Sequence, residues 1–70
     1  MTAKGIDISG KRLRRLRENK GLSVTALAGL AGVSKPHLSQ VERGVRRPSP
    51  FVLAALCEVL RIHADDVRED

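Results

Sequence analysis

The chain has a single aromatic residue, Phe51, and neither tryptophan nor tyrosine. Single-stranded nucleic acid is held largely by stacking its bases on aromatic side chains, so a platform of that kind is excluded. There is one cysteine, Cys57, which rules out an intrachain disulfide and a cysteine-based zinc site. The two histidines, His37 and His63, lie far apart and lack metal-ligand spacing. No apolar run approaches the ~20 residues of a membrane-spanning helix, and no signal-peptide pattern opens the chain. No membrane partner is expected, and a reducing cytoplasm is the simplest location. No nucleophile–base pair, paired carboxylates or phosphate-cradling loop is visible. The expectation is therefore a protein that is not an enzyme, with no cofactor and no evident small-molecule ligand.

Acidic residues are also scarce over the first two-thirds of the chain. Lys11, Arg12, Arg14, Arg15, Arg17 and Lys20 stand against Glu18 alone, and Lys35, Arg43, Arg46 and Arg47 against Glu42 alone. The balance reverses at the end, where Glu58, Asp65, Asp66, Glu69 and Asp70 outnumber Arg61 and Arg68. Overall the 70 residues carry a net charge of +5, concentrated in one part of the sequence. Clustered Lys and Arg favour a polyanion, because they displace the counterions condensed on phosphates. A chain of this length forms one small domain and buries only about 60% of its unfolded surface, so its core is thin.

What is present is a series of short helical periods, each opened by a serine and most closed by a glycine. Residues 1–8 are expected to form an arm and 9–68 the folded domain. Ser9 caps a first helix over about 10–20, with Ile8 stapled to Leu13, Leu13 and Leu16 inward, and Gly21 at its end. Ser23 caps a second helix over about 24–31, which Gly32 stops. Ser34 caps a third over about 35–43, with Pro36 tolerated in the first turn and Gly44 at the end. Ser49–Pro50 opens a fourth over about 50–60, and "HADDV" adds a short fifth. With no strand pattern, the fold is all-α, a compact bundle of four to five short helices.

Helices two and three are joined by about three residues that include Gly32, the arrangement of a helix-turn-helix unit. A sharp turn there requires positive φ, which glycine supplies. Close helix crossing requires a small residue one turn earlier, supplied by Ala28. Leu27, Ala31, Val33, Leu38 and Val41 provide the apolar lining. If Leu38 and Val41 face inward, positions 35, 36, 39 and 40 face outward. Lys35 suits guanine O6 or N7, Gln40 suits adenine N6 and N7, Ser39 can donate or accept, and the ring of Pro36 suits a thymine methyl. Gly29, inside helix two, costs about 1 kcal/mol relative to alanine and suggests a close backbone approach.

The stretch "LRRLRENKGLSVTALAGLAGVSKPHLSQVERGVRRPS", with the "LAALCEVL" after it, resembles the lambda-repressor/Cro-like (XRE-type) helix-turn-helix DNA-binding family over about residues 10–67. The resemblance implies a lambda-repressor-like five-helix domain whose third helix enters the major groove of double-stranded DNA, usually in a homodimer on a two-fold symmetric site. It implies base contacts from Lys35, Pro36, Ser39 and Gln40, and a partly buried ion pair between Arg17 and Glu42. Phosphate contacts are expected from the Ser23-capped helix start and from Thr25, Arg43, Arg46, Arg47 and Arg15. His37 stands at the boundary, either a further phosphate contact or a side chain packed on helix two. Relatives commonly carry glutamine where this chain has Val24, so that contact is absent or replaced by Thr25.

Helix four is more apolar than one buried face requires. Leu53, Leu56, Cys57 and Leu60 form one stripe; Phe51, Val52, Ala55 and Val59 form a second, a candidate homodimer interface. The reading that emerges is a sequence-specific transcriptional regulator, most simply a repressor acting near the nucleoid. Two alternatives remain: an antitoxin or adaptor that holds a protein partner through helix four, and an excisionase-like architectural DNA binder.

Overall fold

The computed structural model describes residues 6–69. Four α-helices follow one another, α1 (Gly10–Asn19), α2 (Val24–Ala31), α3 (Lys35–Glu42) and α4 (Pro50–Leu60), and a 3-10 turn spans Ala64–Asp66. Each helix starts where a serine hydroxyl can accept the otherwise orphaned N–H three residues later. Ser9 accepts from Arg12, Ser23 from Ala26, Ser34 from His37 and Ser49 from Val52, at 3.0–3.2 Å. In the last turn the chain bends through a left-handed residue. Gly32 does so after α2 at φ 74°, which lets the Val33 N–H reach back to the Ala28 carbonyl at 3.0 Å. After α4 the same turn falls on a non-glycine, Arg61, at φ 57° and ψ 49°.

The core is aliphatic. Leu13, Leu27, Leu38, Val41, Leu56, Leu60 and Val67 are sealed from solvent, and Ala28, Leu53 and Cys57 complete the cluster. α2 packs against both α3 and α4, and α1 packs against α3. α1 approaches α3 closely because Gly10 is buried with no side chain. A Cβ there would collide with the Glu42 carbonyl oxygen and lie 2.7 Å from the Val41 carbonyl oxygen.

The structure bears on three sequence expectations. The first concerns the arm: as far as residue 5 it lies outside the described residues, and residues 6–8 are docked on the domain. The Ile6 N–H donates to the Pro48 carbonyl at 2.9 Å, Ile8 forms an antiparallel bridge with Arg68, and the Ser9 N–H donates to the Val67 carbonyl at 2.7 Å. Ile6 and Ile8 pack on the core, so burying them compensates the order imposed on the segment. The second concerns Gly29, which is exposed with nothing within 4 Å of the place its Cβ would occupy, so no close backbone approach explains it. The third concerns the second stripe of α4. Val52 and Val59 are half-buried against the core, flanking the first stripe, and only Phe51, 85% exposed, stands clear of the surface.

Candidate nucleic-acid interface

α3 is anchored by the residues that its periodicity turns inward. Leu38 and Val41 are buried, while Lys35 and Pro36 are exposed and Ser39 and Gln40 are partly exposed. Positions 35, 36, 39 and 40 thus share one side of a short helix, with i, i+4 neighbours stacked along it. Those four side chains bring a cation, an amide, a hydroxyl and an apolar ring to one surface. That set can offer hydrogen bonds and methyl contact to base edges, and it holds no nucleophile–base pair.

The orientation of α3 is locked from behind by Arg17 on α1. Its Nε donates to Glu42 Oε2 at 2.7 Å and its Nη2 to Oε1 at 3.0 Å, a parallel two-bond fork; Nη1 donates to the Leu22 carbonyl at 2.7 Å. The side chains are only 8% and 6% exposed. The hydrogen bond to Glu42 holds the guanidinium pKa above its ordinary value; burial opposes that shift, and the charge of Glu42 reinforces it.

Around this helix the arginines are unevenly committed. The loop after α3 folds back on it, with the N–H groups of Val45 and Arg46 donating to the Gln40 carbonyl at 3.0 and 3.3 Å. Arg43, Arg46 and Arg47 line an open groove of about 650 Å³ together with Lys11 from the start of α1 and the carboxylates of Asp7, Glu42 and Glu69. Lys11 was missed in the sequence because only the α1–α3 contact brings it there. Arg47 also pairs with Asp7 at 2.8 Å, both side chains largely exposed, a surface bridge worth ~1 kcal/mol at most. Arg15 and Thr25 are exposed. Arg12 is turned elsewhere, its Nη1 donating to the Arg68 carbonyl at 3.0 Å.

The start of α2 presents its free N–H groups to solvent, with the Ser23 hydroxyl already accepting from Ala26. Val24 is half-buried and packs on the core, an apolar task at the first residue of α2. The imidazole of His37 is half-buried, and its Nε2 is sealed from solvent with no hydrogen-bond partner. In this rotamer that nitrogen faces protein rather than a phosphate. Among the described residues no group of His, Cys, Asp and Glu is placed to hold a metal, and no helix is long and apolar enough to cross a membrane.

Two helices set across a glycine turn, the second anchored from behind and lined with polar groups in front, define a helix-turn-helix domain. Residues 10–69 match the family described as a helix-turn-helix domain. The chain belongs to the lambda-repressor/Cro-like branch of these DNA-binding proteins, a family of transcription regulators rather than enzymes. It is 46% identical over 56 residues to the uncharacterized HTH-type transcriptional regulator Rv0474 of Mycobacterium tuberculosis, covering 80% of this chain and 40% of that one. It is thus similar to less than half of that relative's length. The restriction-modification controller protein C.AhdI from Aeromonas hydrophila has the same fold, with TM-score 0.78 and 40% identity over 81% of this chain and 86% of that one. The P22 c2 repressor in complex with a synthetic operator superposes with TM-score 0.76 at 34% identity, over 80% of this chain and 85% of that one.

Proposed function

We propose that this protein is a sequence-specific double-stranded DNA-binding transcriptional regulator. In this reading it represses by covering a promoter, as a homodimer on a two-fold symmetric operator with α3 in the major groove. The observation that carries the reading is the outward face of α3. Lys35, Pro36, Ser39 and Gln40 point away from a core that Leu38 and Val41 anchor, on a helix fixed by the Arg17–Glu42 fork. Lys35 reads guanine and Gln40 reads adenine. The exposed Arg43, Arg46 and Arg47, with Thr25 and the start of α2, supply the sequence-independent hold on phosphates. Support also comes from the P22 c2 repressor, a relative with an operator bound. Arg15 belongs to the outer edge of that phosphate contact.

The test is a selection of binding sites from random duplex DNA with the full chain at physiological salt. The expected result is a two-fold motif with half-sites about one helical turn apart. Absence of any enriched motif overturns the reading and leaves a basic surface that binds duplex without reading it. One observation favours a second reading, an adaptor or antitoxin with a protein partner: the exposure of Phe51 on α4.

A further inference from the structure

Three carboxylates line the groove shared by Lys11, Arg43, Arg46 and Arg47, those of Asp7, Glu42 and Glu69. Glu42 is spent on the Arg17 fork. Asp7 and Glu69 are exposed and belong to the two segments that pair through Ile8 and Arg68. We propose that these two residues are a built-in competitor for the groove. They form an acidic clasp that holds its cations in the free protein, and a nucleic-acid backbone must displace it. The proposal rests on the DNA-binding reading above: Arg47 keeps its carboxylate partner only while no phosphate is there.

The backbone sets the clasp firmly, which separates it from incidental surface charge. On one side of Asp7, the Ile6 N–H donates at 2.9 Å to the carbonyl of Pro48, the buried residue next to Arg47. On the other side, the Ile8–Arg68 bridge is flanked by two hydrogen bonds. The Ser9 N–H donates to the Val67 carbonyl at 2.7 Å, and the Glu69 N–H to the Asp7 carbonyl at 3.2 Å. So held, Asp7 accepts through Oδ1 from Arg47 Nε at 2.8 Å. In this antiparallel register Asp7 stands opposite Glu69. Like charges placed opposite each other weaken such a pair, and the cations of the groove offset that repulsion. Arg68, between them in the ladder, is engaged with Asp65 at 3.5 Å and leaves that task to the groove. An exposed bridge holds loosely, so phosphates displace the clasp and its effect is reduced affinity rather than abolished binding. Ile6 and Ile8 keep the segment packed on the core. The freed carboxylates therefore stay near the phosphates and repel them, within a Debye length of ~10 Å at 0.1 M salt.

The test is the affinity of the full chain for a random-sequence duplex, read by fluorescence anisotropy from about 50 to about 300 mM salt. The clasp variant combines Asp7→Asn with Glu69→Gln. Its control combines Asp65→Asn with Asp66→Asn, which removes the same charge from exposed positions outside the groove. All four positions are exposed, so both variants should keep the helical circular dichroism of the wild type. The clasp variant should bind about three- to tenfold tighter than wild type at the lowest salt, with the gap closing as salt rises, and the control should change by less than about twofold. Asp7→Asn alone should lose most of its gain in an Arg47→Ala background, the mark of a direct exchange of partners. A clasp variant no tighter than the control, or a gain that persists in full without Arg47, overturns the proposal and leaves the DNA reading standing. If neither wild type nor variants bind duplex, the DNA reading fails and elution from heparin, a sulfated polyanion, decides the clasp. The clasp stands if its variant needs more salt to elute than the control does, and falls if the two elute together.

Discussion

Glu42→Ala is the substitution for which the structure gives the sharpest expectation. It removes both acceptors of the Arg17 fork, at 2.7 and 3.0 Å, and leaves a guanidinium that is 8% exposed with only the Leu22 carbonyl at 2.7 Å. Breaking a buried pair from one side costs about 3–5 kcal/mol, because the remaining charge is neither paired nor hydrated. Relief of a carboxylate at the C-terminal end of α3 returns a few tenths of that, ~0.3–1 kcal/mol. Domains are stable by roughly 0.05–0.15 kcal/mol per residue, about 3–10 kcal/mol for a chain of this size. The loss is therefore a large share of the total, and melting should fall by on the order of 10–30 °C. Thermal and urea unfolding followed by circular dichroism measure it, with Glu42→Gln as the milder variant should the alanine chain be partly unfolded at 25 °C. Glu18→Ala is the control. The Arg14–Glu18 bridge, at 3.1 Å, has side chains 64% and 54% exposed, and losing it should cost under about 0.5 kcal/mol. The double variant Arg17→Met with Glu42→Leu should lie close to wild type: an apolar pair replaces the ions well, but the Leu22 carbonyl loses its donor. If Glu42→Ala costs no more than Glu18→Ala, the pair does not lock α3 and the reasoning fails.

Two glycines should respond in opposite directions in the same unfolding assay. Gly10→Ala should lose about 1–3 kcal/mol by overpacking against the carbonyls of Val41 and Glu42, whereas Gly29→Ala, in open space, should gain up to about 1 kcal/mol; equal signs would refute the assignment. Arg46→Ala should weaken binding to all duplexes by a similar factor and reduce the slope of log affinity against log salt by about 1, and an unchanged slope would remove Arg46 from the phosphate contacts. Burial, and secondly the charge of Asp66, pushes the Cys57 thiol pKa up. A raised folded pKa means a contribution to stability that is full below the thiol's ordinary pKa, about 8.5, and lost as pH climbs above it. The urea midpoint of the wild type should therefore fall more steeply from pH 8 to pH 10 than that of Cys57→Ala, and parallel curves would clear the thiol.

The helix boundaries were legible because they are decided locally. A serine hydroxyl satisfies an N–H three residues away, and a glycine takes positive φ at the turn, whatever the rest of the chain does. Ser9, Ser23, Ser34 and Ser49 therefore mark all four helix starts, and Gly32 the turn between α2 and α3. The outward set Lys35, Pro36, Ser39 and Gln40 followed from helical periodicity and the inward Leu38 and Val41 alone. The partnership of Arg17 with Glu42 came through family resemblance; no local rule joins residues 25 positions apart. Tertiary contact decided the rest. The start of α1 is brought against the end of α3, which leaves no room for a side chain at Gly10 and brings Lys11 to the groove of Arg43, Arg46 and Arg47. The docking of residues 6–8 against Pro48, Val67 and Arg68 depends on backbone groups from both ends of the chain meeting. α4 has a nearly continuous apolar sequence whose period does not say how wide an arc α2 and the core will cover. Packing covered Val52 and Val59 and left Phe51 exposed, because burial is set by which neighbouring helices arrive and not by the side chain's own hydrophobicity.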